Sequence, residues 1–217
     1  MRIRIKTCCI SSAEEAKLAI ALGADALGLV GKMPSGPGPI SDAEISSIAK
    51  TIHPPIASFL LTCEQTADGI IQHVKRANTN TVQLVDELID GNYSEIRLAL
   101  PHLNIVQVIH VNGEDSIEKA LSVQDHVDAI LLDSGEPKAK IKTLGGTGNT
   151  HDWTISRKLV QEVSVPVFLA GGLHAGNVKE AIEIVQPFAV DVCSGVRTDG
   201  KLDPVKLGEF IKAVYSI

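Results

Sequence analysis

Aromatic residues are scarce in this chain: one tryptophan, two tyrosines and four phenylalanines among 217 residues, 3% in all. That leaves little with which to build the stacked platforms that hold single-stranded nucleic acid. Excess positive charge is missing as well. Twenty Lys and Arg stand against 26 Asp and Glu, a formal net charge of −6, so neither nucleic acid nor an anionic membrane is an expected partner. No apolar run approaches the roughly 18 residues that a membrane span requires. The opening MRIRIKTCCI alternates charged and apolar residues, unlike the continuous apolar core of a secretory signal. Cysteine is limited to positions 8, 9, 63 and 193, a spacing that matches neither paired zinc ligands nor a disulfide framework. The expected home is a reducing cytoplasm, with no metal.

What remains is ordinary for a globular protein. The chain is 44% hydrophobic and 21% charged, close to average usage, and its length suits one domain over residues 1–217. Short β-rich runs alternate with amphipathic stretches from end to end. Strands are expected at residues 3–8, 26–30, 56–61, 81–84, 105–109, 127–133, 165–170 and 189–193. Several are almost continuously apolar, as parallel strands covered by helices are. Between them, apolar residues recur at helical spacing. Ile45, Ile48, Ala49 and Ile52 form one such stripe, and Ala67, Ile70, Ile71 and Val74 another. Ser12 with Glu15 and Ser41 with Glu44 have capping-box spacing, and Asp203-Pro204 reads as a cap and first helical residue. The stretch 92–100 carries the least helical signal.

Eight strand–helix units in this length predict an α/β fold, a single (βα)8 TIM barrel. An open doubly wound sheet shares the same alternation, but no G-x-G-x-x-G follows the first strand. In such a barrel the chemistry sits at the C-terminal strand ends and the loops beyond them. That rule selects Cys8, Asp133, Asp191 and Ser194. Strand alternation sets Lys6 and Cys8 on one face, Thr7 and Cys9 on the other. Glycine-bearing segments follow the last three strands: Gly145-Gly146-Thr147-Gly148, Gly171-Gly172 and Ser194-Gly195. Bare peptide N–H groups there suit a phosphate.

Each of these residues also has a plainer role. Cys8 could simply pack as a small apolar side chain, and Asp133 could cap a helix. Asp191 could bind a ligand or neutralise Lys6, since a buried lysine needs a partner. Cys63, Cys193 and Trp153 read as packing residues, and the histidines, His110 among them, as surface or loop positions. Cys8 and Cys9, on opposite faces, are not expected to pair.

Taken in order, several segments resemble phosphoribosylanthranilate isomerase of tryptophan biosynthesis: Lys6-Thr7-Cys8-Cys9-Ile10-Ser11, Val82-Gln83-Leu84, Leu131-Leu132-Asp133, Gly145-Gly146-Thr147-Gly148 with Asp152-Trp153, Leu169-Ala170-Gly171-Gly172-Leu173 with Asn177-Val178, and Val190-Asp191-Val192-Cys193-Ser194-Gly195-Val196. They span almost the whole chain. The resemblance implies an Amadori rearrangement of an N-linked phosphoribosyl amine to a 1-deoxyribulose, without metal or cofactor. It assigns Cys8 as the base at C2′ and Asp133 as the acid at the ring oxygen. Lys6 and Asp191 would contact the sugar, and Gly146, Gly171, Gly172, Ser194 and Gly195 would bind the phosphate. The small phosphorylated substrate is the expected partner, taken up by a monomer or homodimer.

Three positions depart from the family pattern. Gly38 stands where the family has an arginine for the anthranilate carboxylate, and glycine cannot replace a bidentate guanidinium. Lys32 or an arginine from elsewhere would have to substitute. Gln83-Leu84-Val85-Asp86 loses the histidine and turn glycine of Gln-Leu-His-Gly, and Cys9 replaces the glycine after the catalytic cysteine. Besides the isomerase, two functions stay open at this point: a related barrel acting on another phosphorylated substrate, and a non-catalytic barrel that only binds one.

Overall fold

The computed structural model describes residues 2–135 and 150–216. Eight parallel strands close on themselves in chain order: β1 Arg4–Thr7, β2 Ala26–Val30, β3 Ala57–Thr62, β4 Thr81–Leu84, β5 Asn104–His110, β6 Ala129–Asp133, β7 Val167–Leu169 and β8 Ala189–Val192. Closure comes from β1, which pairs with β2 on one side and with β8 on the other. The expected (βα)8 barrel is therefore the observed one, with strand ends within about two residues of their anticipated positions.

Helices α1 Ala13–Leu22, α2 Asp42–Ala49, α3 Ala67–Ala77, α4 Tyr93–Ala99, α5 Asp115–Val123, α6 Trp153–Glu162, α7 Val178–Val185 and α8 Pro204–Tyr215 surround the strands. Their starts follow from local chemistry. Ser41 and Glu44 form the full reciprocal capping box on α2, and Asp203 accepts from the Val205 and Lys206 amides ahead of Pro204. At α1 only half of the box forms. Ser12 accepts from the Glu15 amide at 3.2 Å, while the Glu15 carboxylate turns to the Ser11 and Leu202 amides and to Arg197. Asn92 caps α4, where sequence periodicity was faint.

Two apolar layers result from strand alternation. Outward residues such as Leu27, Leu29, Leu60, Ile105 and Ile130 pack under the helix stripes. Inward residues, among them Phe59, Val106, Leu131 and Phe168, fill the barrel. The Phe59 and Phe168 rings meet edge-on, 5.8 Å between centroids. A short hairpin, β9 Arg197–Thr198 and β10 Lys201–Leu202, follows β8 and had no counterpart in the sequence pattern.

Candidate active site

On β1 the alternation carries Lys6 and Cys8 into the barrel. Lys6 is fully buried, and its Nζ lies 2.8 Å from Asp191 Oδ2. The barrel's register sets these two residues directly opposite on β1 and β8. The ammonium also lies 5.3 Å from the centre of the Phe59 ring. Burial opposes its charge, but Asp191 and the neighbouring cysteines outweigh burial and raise its pKa. Burial likewise pushes the Asp191 carboxyl up while Lys6 pulls it down. The short contact favours the ionic pair. Asp191 Oδ1 has no partner among the described residues, although Asp191 lines the cleft described below. Pairing with Lys6 is the reading of Asp191 that the contact at Oδ2 bears out.

Gly28 makes this arrangement possible. A Cβ at that position would stand 2.8 Å from Cys8 Sγ and 3.2 Å from Lys6 Nζ. Its place within an apolar strand was the available signal, since strand glycines mark close approach.

Cys9 is not on the opposite face from Cys8. The Cys8 amide still donates to Val192 O at 2.8 Å, continuing the ladder, but Cys9 then takes a left-handed backbone with φ of 62°. That turn breaks the alternation, and both cysteines line one cleft. Cys193 does more than pack: its thiol meets the Cys9 sulfur at 2.7 Å. Arg197, only 8% exposed, clamps the turn by donating to the Cys8 and Cys9 carbonyl oxygens and pairing with Glu15. Arg197 was missed by sequence reasoning, because nothing local marks it as buried.

The cleft at the barrel mouth, about 720 Å³ including its solvent-open part, brings Cys8, Asp133 and Asp191 together with Gly171, Gly172 and Ser194. Asp133 ends β6, its Oδ1 accepting from the Ser134 amide at 2.7 Å. Burial raises its pKa, and the Ser134 bond and His110 only partly counter this. Cys8 moves the other way. A hydrogen bond from Cys9 lowers it most, with Lys6 adding to this against burial. Among the described residues, no group of three or more His, Cys, Asp or Glu is placed to hold a metal ion.

Gly171 and Gly172 adopt positive φ of 82° and 62°, and Asn177 fixes their loop by donating to Gly172 O at 3.0 Å and accepting from the His174 amide. Gly195 stands back from the cleft. A Cβ there would run into the Leu173 carbonyl oxygen, so this glycine lets the loop after β8 pack on the loop after β7. Gly146 lies outside the described residues.

At the altered side of the mouth, Lys32 is exposed, and neither it nor any lysine or arginine of the described residues lines the cleft. Loop two reaches it instead through Met33, Ser35, Gly36 and Pro37. Gly38 has φ of 84°, and a Cβ there would lie 2.8 Å from Cys9 Cβ. His110 is a half-buried residue at the end of β5, in register with Asp133, rather than a surface histidine. Its Nε2 donates to Val85 O at 3.0 Å. Val85 lines the cleft and also a second groove between α4 and α5, walled by Tyr93, Ile109, His110 and Val123.

The family model for N-(5′-phosphoribosyl)anthranilate (PRA) isomerase matches residues 5–213. The N-(5′-phosphoribosyl)anthranilate isomerase of Methanocella arvoryzae is 35% identical over 212 residues, 97% of both chains. Isomerase 2 of Methanosarcina mazei is 37% identical over 211 residues, covering 96% of this chain and 92% of its own. Among solved structures, phosphoribosyl anthranilate isomerase from Thermotoga maritima superposes with a TM-score of 0.81 at 29% identity, over 99% of this chain and all of that one. A phosphoribosyl anthranilate isomerase in complex with reduced 1-(o-carboxyphenylamino)-1-deoxyribulose 5-phosphate gives 0.78 at 27%, over 99% of this chain and 100% of that chain.

Proposed function

Since the chain belongs to the N-(5′-phosphoribosyl)anthranilate isomerase family, we propose that Cys8 and Asp133 are the base and acid with which it isomerises N-(5-phosphoribosyl)anthranilate. The activity is an intramolecular aldose–ketose isomerisation, the Amadori step of tryptophan biosynthesis. Asp133 donates its proton to the furanose ring oxygen; the bond from that oxygen to C1′ breaks as the amine nitrogen forms an iminium. The Cys8 thiolate then takes the proton from C2′, and its electron pair becomes the enaminol double bond. Loss of the C2′ hydroxyl proton and protonation of C1′ give the ketose. Each turnover leaves a thiol and a carboxylate, so one proton must return from Cys8 to Asp133.

The observation that carries this reading is the shared cleft, in which the carboxyl is driven toward its protonated form and the thiol toward its ionised form. Such divergence marks an acid and a base. Asp191 Oδ1 is free to accept a sugar hydroxyl while Lys6 holds Oδ2. The phosphate belongs at Gly171, Gly172 and Ser194, with Gly195 shaping that wall and Gly146 assigned by family likeness. The aromatic ring then lies across the mouth against Met33, Leu61 and Val85. Family membership favours this reading over another phosphorylated substrate or a purely binding role.

The test follows the fluorescence of N-(5-phosphoribosyl)anthranilate. Cys8→Ala and Asp133→Asn should each lower kcat by about 10²–10⁴-fold, the usual contribution of a placed acid or base. Turnover within a fewfold of the parent in either variant would remove that residue from the mechanism.

A further inference from the structure

The mechanism above gives no task to Cys9 or Cys193, yet both sulfurs line the reacting cleft. Cys9 also sits in a backbone region that a side chain rarely adopts. A non-glycine residue held there costs on the order of 1 kcal/mol and persists only where its surroundings fix it. Here the surroundings do. Arg197 grips the Cys8 and Cys9 carbonyls, the Pro37 carbonyl stands 3.6 Å from Cys9 Sγ, and Cys193 presses on the same sulfur. The strained turn is what brings the second thiol around to the side of the first.

We propose that Cys9 is a positioning residue for the base: anchored by Cys193, its thiol donates a hydrogen bond to the Cys8 sulfur and holds it as an oriented thiolate. The inference rests on Cys8 being the base. The Cys9 thiol sulfur stands 3.6 Å from Pro37 O, and the Cys8 sulfur, in the same cleft, is the competing acceptor. An ionised sulfur is the stronger acceptor, so the proton of Cys9 faces Cys8 when Cys8 is ready to react and swings to the carbonyl once Cys8 has been protonated. Cys193 supplies Cys9 with a donor of its own, completing a file of three sulfurs. The other groups facing this file are few. Lys6 on β1 favours the thiolate, and Asp191 on β8 opposes it. Asp133 on β6 shares the cleft, with His110 on β5 beside it. Arg197 and Glu15 form an ion pair spent on backbone carbonyls and amides.

Glycine is the informative replacement, because it relieves the strain at φ of 62° and removes the CH2SH side chain. Cys9→Gly should fold with a melting temperature no lower than the parent. The acidic limb of its kcat/KM profile, which reports ionisation of the base in the free enzyme, should move to higher pH by about one unit. Cys9→Ser, which keeps a donor, should recover part of that shift, and Cys193→Ala should produce a smaller shift in the same direction. A Cys9→Gly profile superimposable on the parent would overturn the proposal. Cys8→Ala separates the two failures: if it is inactive and Cys9→Gly unshifted, the positioning role alone is lost. If Cys8→Ala turns over normally, the base assignment falls and takes this inference with it.

Discussion

Asp133 illustrates how chemistry at one residue sets itself against stability. Its folded-state pKa is raised, above all by burial, so the folded chain binds its proton more tightly than the unfolded chain does. Below the unfolded-state pKa both states are protonated and stability is at its full value. As pH rises through the window up to the folded pKa, the unfolded chain releases a proton that the fold retains, and stability falls. Asp133→Asn lacks that titration. It should match the parent below about pH 3 and exceed it at pH 8 by about 1 kcal/mol, about 2–4 °C in a chain of this size, while losing activity. Melting curves across that pH range decide the point; a constant offset would mean that the carboxyl is not destabilised by burial. Residues at this scale were unevenly legible. The Lys6–Asp191 pair was one of two readings open for Asp191, suggested by the need of a buried ammonium for a partner. Cys9 and Cys193 gave no such hint, because the period-two rule presumes extended backbone and one left-handed residue cancels it.

Among the elements, those with a side-chain cap or an apolar stripe announced themselves. Ser41, Asp203 and the stripe of α3 are present in the sequence as plainly as in the fold. The hairpin β9–β10 was invisible, since strands of two residues carry no periodicity. With it Arg197 escaped notice, although Glu15 ties the hairpin to α1 and the Arg197 guanidinium ties it to the Cys8 and Cys9 carbonyls after β1. The loop after β7 is likewise tied by side chains: Asn177 bridges Gly172 O and the His174 amide, and His174 Nδ1 accepts from the Gly176 amide. Asn177→Ala should loosen the phosphate wall without touching the acid or the base. KM for the phosphorylated substrate should rise about tenfold, equivalent to about 1.4 kcal/mol of uniform binding, with kcat nearly unchanged. A fall in kcat at constant KM would show instead that this loop acts on the reacting atoms.

For the molecule as a whole, the number of βα units and the missing G-x-G-x-x-G favoured a closed barrel over an open sheet, and the barrel is closed. An open sheet would show the same runs, and the pairing of β1 with β8 distinguishes them. Closure also determines which cavities become neighbours. Val85 borders both the catalytic cleft and the groove between α4 and α5, so it stands where the two cavities approach each other. Val85→Ala should open a doorway on the aryl side while leaving the phosphate, the acid and the base where they are. Substrates bearing bulky substituents on the ring should then gain in kcat/KM relative to the parent compound, and equal losses for both would show the wall to be thicker than one side chain. The enzyme's capacity for larger guests is, on this view, an architectural matter of knocking through rather than of rebuilding its hearth.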